Sequence, residues 1–162
     1  SQPEYLDKVF ERVNGFSVLY YQIHDRPNLL EYIQSEDIKI IHLIRLDGIA
    51  RYVSQCIATR CGVWHREFDR VVDLSPIEID KARCHRNIKN MHNMSVDFVQ
   101  KYPGLIVSYE QMVQSWVPTM HTIEFFLDVA KQRLPMKIKK SIDRPLSEVV
   151  ANTADFPHYF GE

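Results

Sequence analysis

An arginine closes one of the two longest apolar stretches in this chain, and its position is the first pointer to chemistry. Arg45 follows the run IKIIHLI and precedes Leu46-Asp47, where a helix-capping residue opens a new amphipathic stretch. A guanidinium at such a strand-to-helix turn can grip a phosphate bidentately, and the amide-rich helix start beside it favours anions. Ser54, nine residues on, lies two turns into that helix and adds a hydroxyl donor if its face turns towards Arg45. Two further strand exits carry polar groups, His24-Asp25-Arg26 and Tyr109-Glu110. Ligands of open α/β sheets bind beyond the carboxyl ends of the strands, so these three exits are the places to look. The same residues admit a packing role: Arg45 paired with Asp47 or Glu110, and Ser54 filling a small space.

The elements that must hold these groups follow from the hydrophobic pattern. Residues 16–23 form a β-rich apolar run, and residues 38–44 form a nearly continuous one, as expected of a strand covered on both faces. A third short strand is expected over 105–109. Helices are expected over 3–12, after Asn28, from Asp47 to near Gly62, from Ser75-Pro76 to about Gln100, and over 115–134. Residues 68–74 read as either a short strand or an irregular connection. This order implies parallel strands with helices packed on them. At 162 residues, with no repeat or linker, one α/β domain spanning 1–162 is expected.

Composition excludes several classes. With 45% hydrophobic and 25% charged residues the chain is expected to be globular and soluble. Its apolar runs fall short of the ~20 residues a membrane helix needs. A net charge of −1 provides no global field for nucleic acid or an anionic membrane. Cys56, Cys61 and Cys84 leave an odd thiol, and no secretory leader is visible, which favours a reducing, cytoplasmic setting. Those cysteines, with His65 and His85, lack the spacing of a zinc finger or ribbon, so no metal is expected.

The stretch KIIHLIRLDGIARYVSQCIATRCGVWH resembles the second nucleotide-binding motif of sulfotransferases that use 3'-phosphoadenosine 5'-phosphosulfate (PAPS). In that family an Arg ends a strand, a Ser follows eight or nine residues later, and the two hold the 3'-phosphate. Arg45 and Ser54 match that pattern. Gly62-Val63-Trp64-His65 resembles the Gly-x-Trp-like segment of the bacterial carbohydrate-type branch. GFSVLYYQI, VSYEQMV and RPLSEVVANTADF resemble further parts of the family in the same order, so the likeness spans about 15–160.

The resemblance implies a reduced, P-loop-type three-layer α/β domain that binds PAPS or adenosine 3',5'-bisphosphate. It implies sulfuryl transfer to a hydroxyl acceptor, a carbohydrate or small metabolite, with His24 as general base, 21 residues before Arg45. Lys137, Lys139, Lys140 and Arg144 resemble, loosely, the basic segment that closes over the nucleotide.

The chain departs from the family in one respect. None of its five glycines lies in a phosphate-binding run such as Gly-x-x-x-x-Gly-Lys, and backbone amides need glycine to approach phosphate that closely. The 3'-phosphate half of the site is therefore expected here and the sulfuryl half is not, unless another segment or chain supplies the loop. The alternative is a non-catalytic, degenerate domain that binds a nucleotide or a protein. Loss of the family's central strand would make the strands at 38–44 and 105–109 pair directly or leave open edges, and a homodimer is expected on that ground.

Overall fold

The strand expected over 38–44 is shorter than its hydrophobic run. In the computed structural model, which describes residues 15–24, 27–35, 38–62, 73–135, 142 and 144–161, β1 is Ile41–Ile44 and β2 is Leu105–Ser108. Together they form a two-stranded parallel sheet among helices, so the chain is mixed α/β. Coverage of β1 on both faces does not hold, since His42 is 3% exposed and the next residue, Leu43, is 57% exposed. Gly104 lets β2 start close beside β1. A Cβ there would collide with the Ile40 carbonyl oxygen, which instead accepts the Leu105 N–H at 3.0 Å. The sequence readings of 3–12, Asp25, Arg26, Trp64, His65, 68–72, Lys137, Lys139 and Lys140 lie outside the described residues.

Two compact units divide the chain, Ser1–His42 with Asn93–Ile106, and Leu43–His92 with Val107–Glu162. In the first, residues 16–23 do not form the expected strand. They run irregularly into α1 (Tyr20–His24), followed by α2 (Pro27–Ser35). The Gln22 side chain accepts the Leu19 N–H at 3.0 Å, and the Ile23 N–H returns to the Leu19 carbonyl. Helical spacing places Tyr20 and Ile23 on one face, whereas alternation would part them. Tyr20 stacks on Phe98 at 5.1 Å, and Ile23 packs with Leu29, Phe98 and Tyr102. Tertiary packing outweighs the β propensity of this run.

The second unit contains α3 (Gly48–Cys61), which starts and stops as the pattern predicts. The Asp47 carboxylate accepts the Ala50 N–H at 2.8 Å, and Gly62 closes the helix in the left-handed region at φ 64°. Tyr52, Val53 and Ile57 of α3 form a core with Ile79, Cys84, Val149, Val150 and Phe156.

Helix α4 (Lys81–Lys101) starts later than Ser75-Pro76 suggests. Ile77 instead forms a parallel bridge to Val150, and the Asn152 side chain pairs with both backbone groups of Ile79. Asp80 then takes the capping role, accepting the Arg83 N–H at 2.7 Å. The helix expected over 115–134 is divided. After α5 (Tyr109–Gln114), α6 (Trp116–Leu127) stops where Asp128 turns left-handed at φ 59°. The C-terminal part carries α7 (Leu146–Val149), a 3₁₀ turn at Thr153–Asp155 and α8 (Pro157–Phe160). Among the described residues no helix is long and apolar enough to cross a membrane.

Candidate functional site

Within the second unit, the ends of β1 and β2 deliver Arg45 and Tyr109-Glu110 to one cluster. The turn after β2 is set by Ser108. Its hydroxyl accepts the Gln111 N–H at 3.0 Å, and the Gln111 side chain accepts the Ser108 N–H at 2.9 Å. This reciprocal cap stops the strand and starts α5. Tyr109 and Glu110 therefore occupy its first two positions.

The Arg45 guanidinium lies over the Tyr109 ring, with Cζ 4.7 Å from the centroid. Glu110 holds the backbone that follows Arg45, because Oε2 accepts the Leu46 N–H at 3.0 Å and Oε1 the Asp47 N–H at 3.3 Å. Arg45 Nε stands 4.0 Å from Glu110 Oε1, beyond hydrogen-bond distance. Nε is buried and has no hydrogen-bond partner among the described residues. The Asp47 carboxylate is also engaged, its Oδ1 by Ala50 N–H and its Oδ2 by the Tyr159 hydroxyl at 2.5 Å.

Burial acts to raise the Glu110 carboxyl, but the N–H groups of Leu46, Glu110 itself and Asp47, with the Arg45 charge, outweigh it and hold the group below its ordinary value. Tyr159 is pushed well above a free phenol, first by burial and then by its bond to the Asp47 carboxylate and that group's charge. Burial and the Arg45 charge both lower Arg51, which donates to Asn87 Oδ1 at 2.8 Å. A guanidinium remains protonated under such a shift. Arg51 and the half-buried Ser54 are three residues apart and share a face of α3.

Arg45 directly follows β1 and Ser54 lies on α3, either side of the Asp47 cap. Arg144 is exposed, just before α7. His24 is the last residue of α1 in the first unit, so it ends a helix rather than a strand. His42 is a buried core residue. Its Nε2 donates to the Tyr102 carbonyl at 2.7 Å, which leaves Nδ1 to accept the Tyr20 hydroxyl at 3.0 Å.

The three cysteines are free thiols, and burial pushes that of Cys84 up. Among the described residues no group of metal-ligating side chains occurs. Tyr159 and Arg51 were not singled out by the sequence. The Tyr159 partner is 112 residues away and leaves no local trace. The Ser-x-x-Gln spacing at Ser108 is a local signal that marks where α5 begins.

Chemically, the cluster is a cation fixed on one face by an aromatic ring and carried on a clamped turn, with one nitrogen unbonded. Such an arrangement can receive an oxyanion. No family model, curated protein or solved structure matches this chain.

Proposed function

We propose that the chain is a reduced sulfotransferase-like domain of the P-loop, three-layer α/β kind, in which Arg45 and Ser54 hold the 3'-phosphate of PAPS or of adenosine 3',5'-bisphosphate. The observation that carries this reading is the state of Arg45. It stands at the carboxyl end of β1, over Tyr109, with a buried Nε that no acid of the described residues bonds. A phosphate oxygen supplies the missing acceptor, and the half-buried Ser54 hydroxyl is a second donor on the adjoining helix. The exposed Arg144 adds a cation from the C-terminal part.

PAPS, when bound, supplies the sulfuryl group for transfer to a hydroxyl of a carbohydrate or small metabolite in the cytoplasm. In that reaction His24 takes the acceptor's proton, and a glycine-containing phosphate loop must be contributed from outside these residues.

A second reading is a non-catalytic, dimeric domain that binds a nucleotide or protein on the same scaffold. The direct pairing of β1 with β2 favours it, because the family resemblance places a phosphate-loop strand between them.

Calorimetric titration with adenosine 3',5'-bisphosphate tests the first reading. Micromolar binding is expected, weakened by about 1.5–3 kcal/mol in Arg45→Ala, the worth of one charged hydrogen-bonded contact. No heat with wild type, or equal heat with both proteins, overturns it. For the second reading, sedimentation as a clean monomer at micromolar concentration removes the dimer.

A further inference from the structure

An acid beside a cation ordinarily neutralises it, and two acids flank Arg45. Yet each oxygen of both carboxylates already accepts a hydrogen bond from another group. Asp47 serves Ala50 N–H and the Tyr159 hydroxyl, and Glu110 serves the N–H groups of Leu46 and Asp47. The guanidinium remains 4.0 Å from Glu110, at a distance where charge is felt but no bond is made.

We propose that Glu110 is a positioning residue: it clamps the backbone after Arg45 so that the guanidinium is presented to a phosphate, and its ion pair with Arg45, at 4.0 Å and without a hydrogen bond, leaves Nε open to that phosphate. The inference rests on the reading that Arg45 binds a phosphate. Three contacts carry it. The clamp fixes the two peptide groups immediately after Arg45, Tyr109 fixes the face of the guanidinium, and both fixing residues are consecutive at the start of α5. The Ser108–Gln111 cap sets the register of α5, so the ring and the carboxylate arrive together.

The two roles of an acid predict effects of opposite sign. A neutralising Glu110, once replaced by Gln, would release the cation and tighten anion binding. A positioning Glu110 gives the reverse. Gln keeps one oxygen for one N–H but turns an NH₂ donor towards the other, so one clamp bond is lost. The turn loosens, and Arg45 spends less time in the presenting geometry.

Titration of adenosine 3',5'-bisphosphate into wild type, Glu110→Gln, Glu110→Ala, Arg45→Ala and the Arg45→Ala/Glu110→Ala double variant reads this directly. Expected is a loss of about 3-fold for Glu110→Gln and about 10-fold for Glu110→Ala, both within the span of an ordinary hydrogen bond. In the Arg45→Ala background the Glu110→Ala loss should vanish, because Glu110 acts through Arg45. Tighter binding by Glu110→Gln, or a full additive loss in the double variant, overturns the proposal.

Nitrogen relaxation of the Arg45 Nε–H in ligand-free protein supplies a readout independent of the nucleotide. That resonance is identified by its absence in Arg45→Lys. The side chain is expected to be ordered in wild type and mobile in Glu110→Gln, and unchanged order in the variant overturns the positioning role. Should Arg45→Ala bind the nucleotide as well as wild type does, the phosphate reading fails and the relaxation result alone decides Glu110. If Glu110→Ala fails to fold, the near-isosteric Gln variant carries every comparison.

Discussion

In the first unit His42 is 3% exposed and both its ring nitrogens are bonded, whereas in the second the Arg45 side chain is 27% exposed and its Nε is bonded to nothing described. Each is a polar side chain at β1 with tyrosine neighbours. One has exhausted its hydrogen-bonding capacity on the fold, and the other has kept some of it. A buried, satisfied polar group makes a core unique and is costly to remove. A half-exposed and under-bonded one contributes little to folding and is free to meet a ligand. Position on a strand therefore does not separate a fully bonded polar residue from an under-bonded one here, but the partner inventory does.

The contrast predicts that mutations in the two clusters fail in different assays. His42→Ala should cost the most stability, about 3 kcal/mol, because it opens a cavity and strands the Tyr102 carbonyl and Tyr20 hydroxyl. Urea unfolding measures this, and a loss below about 1 kcal/mol would collapse the distinction between the clusters. Arg45→Ala should instead change unfolding stability by less than about 1 kcal/mol, since its nearest acid is not hydrogen-bonded to it. Its effect should appear in the nucleotide titration alone.

Between these lies Ser108→Ala, which removes one half of the α5 cap and should cost about 1 kcal/mol of stability. It should also weaken nucleotide binding, because the cap sets where Tyr109 and Glu110 stand. Unfolding and titration of the same variant separate the two effects.

A small stability change is expected of Tyr159→Phe, about 0.5–1 kcal/mol for one hydrogen bond to Asp47. Because the folded hydroxyl is held above its unfolded value of about 10, this contribution is complete below that pH and is lost as pH rises towards the folded value. The decline of stability above about pH 10 should therefore be shallower in Tyr159→Phe than in wild type.

Parts of this arrangement were legible in local sequence. Asp47 and Gly62 bound α3 because both caps act within one turn of themselves, and the strand-exit rule named Arg45, Tyr109 and Glu110. Other parts were not. The run 16–23 has the composition of a strand, yet Tyr20 finds Phe98 and His42, 78 and 22 residues away, and becomes helical to reach them. Residues 76–80 look like the first turn of a helix, yet Ile77 and Ile79 pair with Val150 and Asn152. In both cases a partner distant in the chain outweighed a correct local preference.

The residue types and their short-range order were enough to place an arginine between an apolar strand and a capped helix. Those features depend on neighbours a few residues apart, where capping and side-chain periodicity operate. Whether that arginine hydrogen-bonds its neighbouring acids or keeps Nε unbonded was decided only by tertiary structure. It turns on which donors reach Glu110 and Asp47, and the contacts that settle it, Leu46 with Glu110 and Asp47 with Tyr159, join residues 64 and 112 positions apart. Hydrogen bonding is satisfied atom by atom over about 3 Å, and no local pattern records which distant atoms come within that range.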